Sequence, residues 1–379
     1  MRIALIGTRG VPARYGGFET CVEEVGSRLA DRGHHVVVFC RPAHDIDEPE
    51  PASEYRGMQL VQLPIVRRRS IETLCHTALS VLHASLRGTD AAIVFNPANA
   101  PLLPVLRARR IPVATHVDGL EWLRGKWGPA GRRYYRLAER LAVRWSDGVI
   151  ADARGIADYY RARFAIEARL IAYGAPVVTP GDAERVEELD LASGKYHLVV
   201  ARFEPENHVL EIVQGYQQSA AELPLVVVGS APYADAYTAK VRAAAGPRVR
   251  LLGGVWDQEQ LDQLYGHALT YLHGHSVGGT NPSLLRAAGA ATFTIAYDVT
   301  FNREVLADTA AYFSTRQDVG RELVAAEADP ARILRLGGEL QQSIQRYNWD
   351  DVTDRYEQLC RRLAAGQRGH RGPGSPSRS

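Results

Sequence analysis

The chain has 379 residues, of which 46% are hydrophobic and 23% are charged, so it is long enough for two domains that each bury a core. Its longest apolar runs, such as Ala91–Phe95 and Leu225–Val228, are far shorter than the roughly 18 residues that span a bilayer. The opening residues MRIALIGTRG lack the apolar region of a signal peptide. We therefore expect a cytoplasmic protein, soluble or peripheral at the inner face of the membrane. The scattered cysteines favour reduced thiols over a disulfide or zinc framework: Cys21, Cys40, Cys75 and Cys360.

The formal net charge of +2 conceals an asymmetry between the two halves of the chain. Residues 1–177 carry 25 Lys+Arg and 18 Asp+Glu, a balance of +7, whereas residues 178–379 carry 20 and 25, a balance of −5. Most of the basic excess comes from three arginine groups: Arg67–Arg69; Arg107, Arg109 and Arg110; and Arg132, Arg133, Arg136, Arg140 and Arg144. These groups are either ordinary solvated surface or a surface that meets anionic lipid or a phosphorylated partner. We do not expect nucleic acid as a partner, because no recognised binding motif accompanies the charge.

The first half of the chain alternates strands and helices, which is typical of parallel α/β layers. The apolar segment Arg2–Ile6 predicts a first strand, which a Gly-rich loop follows, and Phe18–Arg32 predicts a helix that ends at Gly33. Further predicted strands are Val36–Cys40, Ala91–Phe95, Pro112–Thr115 and Gly148–Ala151, and further predicted helices are Ile71–Arg87 and Gly131–Trp145. This pattern predicts a Rossmann-like, doubly wound domain over residues 1–177.

Gly and Pro accumulate at Tyr173–Pro180, which we interpret as a linker. The alternation then starts again, with predicted strands at His197–Ala201, Leu225–Val228, Val249–Leu252, Thr270–Leu272 and Thr292–Ala296. The predicted helices between them are Val209–Ser219, Tyr233–Ala245, Gln258–Gly266 and Pro282–Gly289. A second Rossmann-like domain is thus predicted over residues 178–348. A last helix over 349–365 is expected to cross back to the first domain, and the Gly-, Pro-, Ser- and Arg-rich residues 366–379 are expected to be disordered.

A Gly-rich loop joins the first strand to the first helix, with the sequence GTRGVPARYGGFET over residues 7–20. Glycines at such a junction let backbone N–H groups and a helix N-terminus approach a ligand phosphate. The loop is too long for GxGxxG and lacks the GK[ST] of a P-loop. An ordinary turn would explain one or two of its glycines, whereas four glycines with Arg9 and Arg14 favour a role in phosphate binding.

The second half contains a similar junction in HGHSVGGTNPSLLRAAGA, residues 273–290. Asn281 followed by Pro282 predicts a capped helix N-terminus at the carboxyl end of a strand, where α/β sheets bind ligands. An ordinary capped loop is the alternative. Two such junctions, one in each domain, predict that the domains face each other across a cleft that holds a diphosphate-bearing ligand.

Five sequence blocks in collinear order resemble a known family. They are GTRGVPARYGGFET, HVDGLEWLRGKWG (116–128), RFEPENHV (202–209), HGHSVGGTNPSLL (273–285) and DVTFNREV (298–305). Together they resemble the retaining family 4 glycosyltransferases of the GT-B fold, over about residues 1–363. The bacterial rhamnosyltransferase-like subgroup, which builds exopolysaccharide and related glycans, is the most similar.

The resemblance implies roles for individual residues. Asp118 takes the place of a catalytic-site histidine that contacts the transferred sugar in many family members, and Arg202 matches the arginine that pairs with the donor phosphates. The implied donor-binding set also contains Gly16, Gly17, Asn207, His273, Ser276, Gly278, Gly279, Thr280, Asn281, Ser283 and Arg286. The implied acceptor-side set contains Arg14, Tyr15, Glu121, Arg124 and Lys126.

The chain also departs from the family pattern. Arg286 stands where the family usually has a glutamate that hydrogen-bonds the ribose, Gly278 stands at the other glutamate of the pair, and Asn207 replaces a phosphate-pairing lysine. A lost carboxylate would cost about 1.5–3 kcal/mol of donor binding if nothing replaced it. We expect Arg286 to lie near a helix N-terminus, where the dipole disfavours a cation unless an anionic ligand is bound. Either Arg286 contacts the donor phosphate, or the chain has drifted from catalysis.

The resemblance implies a retaining glycosyltransferase that moves a sugar, for example rhamnose, from a nucleotide-diphosphate donor to a glycan, lipid-linked or natural-product acceptor. The nucleotide sugar is a substrate and no cofactor is expected. No metal is expected either, because the sequence has no His/Cys cluster with the spacing of metal ligands. Two alternatives stay open: a non-catalytic nucleotide-sugar-binding paralogue or partner of an active transferase, and a GT-B sugar-nucleotide epimerase.

Overall fold

Parallel strands connected by helices form two separate sheets in the computed structural model of the protein. The structure describes residues 1–13, 16–42, 52–65, 72–125, 127–229 and 235–367. The first unit contains residues 1–123, 127–173 and 349–379, and the second contains 124–126 and 174–348. The chain therefore passes into the second unit after Tyr173, and the helix that begins at Trp349 belongs to the first unit again.

The first unit is built on one sheet. Its strands are β1 (Arg2–Ile6), β2 (His35–Cys40), β3 (Glu54–Tyr55), β4 (Met58–Gln62), β5 (Ala91–Phe95), β6 (Val113–Val117), β7 (Gly148–Ala151) and β8 (Arg169–Leu170). Its helices are α1 (Gly17–Asp31), α2 (Glu72–Leu86), α3 (Leu103–Ala108), α4 (Pro129–Trp145), α5 (Arg154–Phe164) and, at the end of the chain, α14 (Trp349–Ala364). Within the described residues the strand order is β3-β4-β2-β1-β5-β6-β7-β8, and only the β3–β4 pair is antiparallel.

The continuous apolar strands of this sheet explain its position in the middle of the unit. β5 and β6 are buried along their whole length, as a parallel sheet covered by helices on both faces requires. One face packs against α2, α3 and α4 through a core that includes Ile6, Val94 and Leu103. The last helix, α14, packs against α1.

The second unit repeats this architecture. Its strands are β9 (His197–Val200), β10 (Leu225–Val228), β11 (Val249–Gly253), β12 (Thr270–His273), β13 (Thr294–Tyr297) and β14 (Ala311–Phe313). Its helices are α6 (Glu184–Glu187), α7 (Val209–Gln217), α8 (Asp235–Ala244), α9 (Gln258–Gly266), α10 (Pro282–Gly289), α11 (Thr300–Leu306), α12 (Arg316–Ala328) and α13 (Pro330–Ser343). The described strands pair in parallel in the order β11-β10-β9-β12-β13-β14.

The prediction of an α/β fold with two Rossmann-like parallel sheets is confirmed. One boundary difference affects the candidate site: β6 runs to Val117, two residues beyond its predicted end, so that His116 lies in the strand and Asp118 directly follows it. The strands β3, β4, β8 and β14 are additional to the prediction. Most of the predicted disordered tail and the Arg67–Arg69 group lie outside the described residues. Among the helices of the described residues, none has the length and apolar character needed to cross a bilayer.

Candidate functional site

The sheet of the first unit reverses its direction of growth between β1 and β5, because β2 and β4 lie on one side of β1 and β5–β8 lie on the other. In open α/β sheets, ligands bind outside the carboxyl ends of the strands at such a switch point. The Gly-rich loop leaves the carboxyl end of β1, and Asp118 follows the end of β6. The first group of candidate residues therefore lies at the edge where this fold binds ligands.

Two glycines of this loop are explained by packing. Gly7 has φ +101°, and a Cβ atom there would lie 2.5 Å from the Phe95 carbonyl oxygen. Gly10 has φ +111°, and its Cβ would lie 2.5 Å from Cys40 Sγ. Both positions therefore need glycine because of their neighbours in the sheet. The number of glycines in the loop is weaker evidence for phosphate binding than the sequence indicated.

Gly16 and Gly17 lie where the loop becomes α1. Gly16 is the N-cap residue, with φ +119° and no side-chain cap, and a Cβ there would collide with the carboxylate of Glu19. The Glu19 carboxylate accepts the backbone N–H of Arg9 at 3.0 Å, and burial raises the pKa of this carboxyl. Glu19 thus holds the loop against the helix. The same carboxylate also accepts the Glu19 backbone N–H, so it already satisfies part of the first turn of α1.

His116 and Asp118 lie at the end of β6, and they differ in environment. His116 is fully buried among the rings of Phe18, Phe95 and Tyr173. Burial lowers its pKa to about 3, so the ring is neutral at physiological pH. Its Nδ1 is 2.9 Å from the Tyr356 hydroxyl, while Nε2 has no hydrogen-bond partner among the described residues. Asp118 is half-buried, and the backbone turns after it at Gly119, which has φ +59°.

The implied acceptor-side residues are placed differently from one another. Glu121 is buried and accepts the indole N–H of Trp127 at 3.4 Å. Arg124 groups with the second unit, where its guanidinium lies 3.5 Å from the carboxylate of Glu206, and both side chains are almost fully buried. Arg14, Tyr15 and Lys126 lie outside the described residues.

The sheet of the second unit has its own switch point, between β9 and β12. Arg202 lies two residues beyond the end of β9, and its side chain is 34% exposed with a guanidinium nitrogen 3.8 Å from Glu204 Oε1. His273 is the last residue of β12. Because β9 and β12 are paired neighbours, the Arg202 segment and the 273–281 loop leave the sheet side by side. This is the most concentrated group of candidate residues in the second unit.

Asn207 joins these two segments. Its side-chain N–H donates to the Arg202 carbonyl oxygen at 2.8 Å, and its Oδ1 lies 2.7 Å from His275 Nδ1. A second link is made by Ser276, whose backbone N–H and hydroxyl both donate to the Glu206 carbonyl, at 3.0 and 3.1 Å. The geometry therefore gives Asn207 and Ser276 a positioning role for the two loops.

His273 belongs to a buried hydrogen-bonded group beneath α10. Burial lowers its pKa to about 3, its Nδ1 lies 3.1 Å from the Tyr271 hydroxyl, and its Nε2 is buried without a partner in the described part of the chain. The Tyr271 hydroxyl also lies 3.0 Å from Ser283 Oγ. Asn281 caps α10 by accepting the Ser283 N–H at 3.0 Å, and Pro282 is the first helical residue, which confirms the predicted helix start.

The glycines of this loop allow close approach. Gly278 has φ +151°, and a Cβ there would lie 2.6 Å from His275 Nε2. The imidazole of His275 thus fills the space next to the position where the family pattern has a glutamate, so a side chain at 278 would displace it. Gly279 and Thr280 follow and are buried.

Arg286 does not lie at the beginning of α10. It is in the last turn, where the helix dipole favours a cation, so the expected dipole penalty is wrong. Its guanidinium forms an ion pair with Asp262 of α9, and both side chains are about one-quarter exposed.

Several residues of these networks are absent from the sequence-based candidate set, namely Glu206, Tyr271, His275 and Asp262. The spacing of His273 and His275 could have indicated the second histidine, since His273 ends the buried strand β12 and His275 lies two residues beyond it. Asp262 and Glu206 carry no local signal, because their partners are distant in sequence. Within the described residues, no three His, Cys, Asp or Glu side chains are grouped so that they could hold a metal ion.

The chain forms two Rossmann-like parallel-sheet units, each with a Gly-rich loop at its switch point. This architecture is the GT-B fold. Residues 16–174 match the family model of the glycosyl transferase 4-like domain. No curated protein sequence gives a significant match.

Several solved structures have a similar fold over nearly the whole chain. Sucrose-phosphate synthase from Thermosynechococcus elongatus has a TM-score of 0.84 and 21% identity, covering 96% of this chain and 99% of that chain. HepE from Anabaena, in complex with UDP-glucose, has a TM-score of 0.77 and 16% identity, with 95% and 99% covered. An α,α-trehalose-phosphate synthase (UDP-forming) from Burkholderia vietnamiensis has a TM-score of 0.74 and 12% identity, with 95% and 100% covered.

Proposed function

We propose that the protein is a retaining glycosyltransferase that uses a nucleotide-diphosphate sugar as donor and a glycan, lipid-linked or natural-product acceptor. The observation that carries this proposal is the switch point of the second unit, where Arg202 and the 273–281 loop leave neighbouring strands. The solved structure of HepE with UDP-glucose, which has the same fold, supports a donor of this class. The rhamnosyltransferase-like sequence blocks support a role in polysaccharide biosynthesis.

The chemistry of the site suits the departure of a diphosphate. As the bond between the sugar C1 and the diphosphate oxygen breaks, negative charge grows on the leaving group, and the acceptor oxygen bonds C1 on the same face. Arg202 can pair with that charge through its guanidinium fork, and the N-terminus of α10 can stabilise it through its free amides. The leaving diphosphate takes the proton of the acceptor hydroxyl. Because the charge is met by a guanidinium and helix amides, we propose that the transfer is metal-independent.

The first experiment is transfer and hydrolysis by the purified protein, with a panel that contains UDP-glucose and dTDP-rhamnose. Loss of one charge-assisted hydrogen bond to phosphate costs about 1.5–3 kcal/mol, so Arg202→Ala should lower kcat/KM roughly ten- to a hundredfold. The control is Arg242→Ala, which removes an exposed arginine from α8 of the same unit. Activity should persist in EDTA.

Other outcomes of these assays would favour one of the two alternative functions or would contradict the role of Arg202. Donor binding without transfer or hydrolysis would favour the non-catalytic paralogue, and an epimerised donor in the absence of acceptor would favour the epimerase. Unchanged turnover of Arg202→Ala would show that Arg202 does not stabilise the leaving diphosphate.

We further propose that the protein acts in the cytoplasm at an anionic membrane surface, which helices α2, α3 and α4 would contact. α3 packs against both α2 and α4, so the three helices form one continuous surface. Large apolar side chains on these helices are exposed, with Leu82 and Leu86 on α2 at 52% and 62% and Leu137 on α4 at 50%. On α4, the exposed arginines 132, 133, 140 and 144 form no ion pair with any described residue. Exposed leucines beside unpaired arginines are complementary to acyl chains beside anionic headgroups.

Vesicle sedimentation tests this surface. Each basic residue near an anionic bilayer contributes about 1 kcal/mol, so Arg133→Glu/Arg140→Glu should weaken binding to phosphatidylglycerol-containing vesicles by at least about thirtyfold. Arg242→Glu, a matched charge reversal on the second unit, should not weaken it. Equal binding by the two variants would show that the α4 arginines are ordinary solvent-exposed residues with no role in membrane binding.

A further inference from the structure

A cavity of about 490 Å³ lies in the first unit, away from the candidate site residues. One wall is the outer edge of the sheet, formed by β8 and its flanking residues, because β8 is the last strand in the described sheet order. The other wall is a single face of α14, since its lining residues recur at helical spacing: Arg355, Gln358, Leu359 and Arg362. The volume lies within the usual range of small-molecule sites, roughly 300–1,000 Å³.

The lining of this cavity is strongly basic. Arg169, Arg355 and Arg362 contribute to it, and none of them forms an ion pair with any other residue that the structure describes. The acidic lining residue is Glu167, and its carboxylate already bonds the guanidinium of Arg161 at 2.8 Å, which lowers its pKa. The charge of the three arginines is therefore not balanced by the protein around the cavity.

The stabilisation of helix α14 accounts for only one of these three arginines. A cation in the last turn favours the helix dipole, which explains Arg361 and Arg362. Arg361 in addition bonds Glu357 on its own helix. Arg355 lies in the middle of α14 and Arg169 lies on the sheet, so neither gains from that dipole. Their shared feature is the cavity that they line.

We propose that this cavity binds a phosphorylated ligand, either a soluble phosphate ester or the headgroup of a phospholipid. The planar guanidinium presents paired N–H donors that match phosphate oxygens, and a phosphate dianion needs more than one cation for neutralisation. Leu170 and Leu359 supply apolar wall for the carbon part of the ligand. The bound ligand joins β8 to α14. Ile171, which also lines the cavity, is two residues before the chain leaves the first unit.

The test measures phosphate binding in a protein whose donor site has been weakened. Full-length Arg202→Ala serves as the background, and inorganic pyrophosphate is titrated by calorimetry at constant ionic strength. We expect the background variant to bind pyrophosphate, and Arg355→Ala/Arg362→Ala in the same background to bind it at least tenfold more weakly. The matched control is Arg361→Ala, which removes a neighbouring arginine that has its own partner in Glu357, and its affinity should stay within about twofold. Thermal melting confirms that each variant is folded.

A second titration distinguishes the two sources of phosphate. Short-chain dihexanoyl phosphatidic acid replaces pyrophosphate in the same set of variants. A tenfold loss with pyrophosphate supports a soluble ligand, and a loss confined to the lipid supports a headgroup. The proposal is overturned if the background variant binds neither probe, or if the double substitution weakens neither.

Discussion

Glu139 on α4 provides a direct test of how burial controls ionisation in the first unit. Its side chain is 2% exposed, and its carboxylate accepts the Tyr159 hydroxyl at 3.1 Å. Burial, opposed by this hydrogen bond and by the charge of Arg136, raises the pKa of Glu139 from its ordinary value of 4.5 to about 7. The substitution Glu139→Gln keeps the shape and the hydrogen-bond acceptor and removes the titration.

The direction of the pH dependence of stability follows from the raised pKa of Glu139. The folded state holds the proton more tightly than the unfolded state, so the stabilisation is complete below about pH 4.5 and is lost as the pH rises through about 7. A shift of this size corresponds to about 3 kcal/mol at about 1.4 kcal/mol per pKa unit. For a unit of this size, 1 kcal/mol changes Tm by roughly 2–4 °C. The difference in Tm between wild type and Glu139→Gln should therefore change by roughly 6–12 °C between pH 4.5 and 7.5.

Thermal melting of both proteins across this pH range is the assay, and the wild type should lose stability relative to the variant as the pH rises. Histidines such as His116 and His273 also titrate differently in the folded and unfolded states, but they are common to both proteins, so the difference isolates Glu139. Glu54→Gln, an exposed glutamate on β3, is the control and should follow the wild type. A Glu139→Gln difference that does not vary with pH would refute the argument.

Three further substitutions test the loops. Gly10→Ala combines a positive φ with a Cβ 2.5 Å from Cys40 Sγ, whereas Gly33→Ala has φ +82° and open space around the Cβ. Gly33→Ala should cost about 1–2 kcal/mol from backbone strain alone, and Gly10→Ala should lower Tm further; equal melting temperatures would contradict the packing argument. Asn207→Ala removes the links to the Arg202 segment and to His275, so it should weaken donor binding in a thermal-shift titration. It should also lower Tm without donor, because the Arg202 carbonyl oxygen and His275 Nδ1 lose their partner. Unchanged donor affinity would deny Asn207 its positioning role.

The continuous apolar strands of four or more residues were predictable from the sequence, and the shorter or partly polar ones were not. β1, β5, β7 and β10 have the predicted boundaries, because each is a continuous apolar segment between turn residues. β8 contains two residues, in which no periodicity can be detected, and its strand conformation depends on pairing with β7. α12 did carry a local signal, the capping box of Thr315 and Asp318.

The candidate site was predicted as a set of segments, and the interactions between those segments were not. The sequence indicated Arg202 and the 273–281 loop separately, whereas their neighbouring positions follow from the pairing of β9 with β12. The hydrogen bonds of Asn207 to both segments require that pairing. The neutral state of His273 likewise depends on burial by surrounding elements, which local sequence does not define.

Arg286 shows why a charged residue needs its neighbouring helix before its role can be inferred. From the sequence, an arginine in place of a ribose-binding glutamate suggested that an anionic ligand compensates its charge. In the structure, Asp262 of α9 compensates that charge, and the last turn of α10 also favours it. The charge of Arg286 therefore needs no phosphate to explain it, and a donor contact stays a prediction. Arg286→Glu would also place a carboxylate beside Asp262, so any loss of affinity in that variant includes repulsion between the two acids. Only the paired substitution Arg286→Glu/Asp262→Arg retains the ion pair while it moves the cation to α9. Donor affinity in that variant therefore separates the loss of a donor contact by Arg286 from repulsion between the two acids.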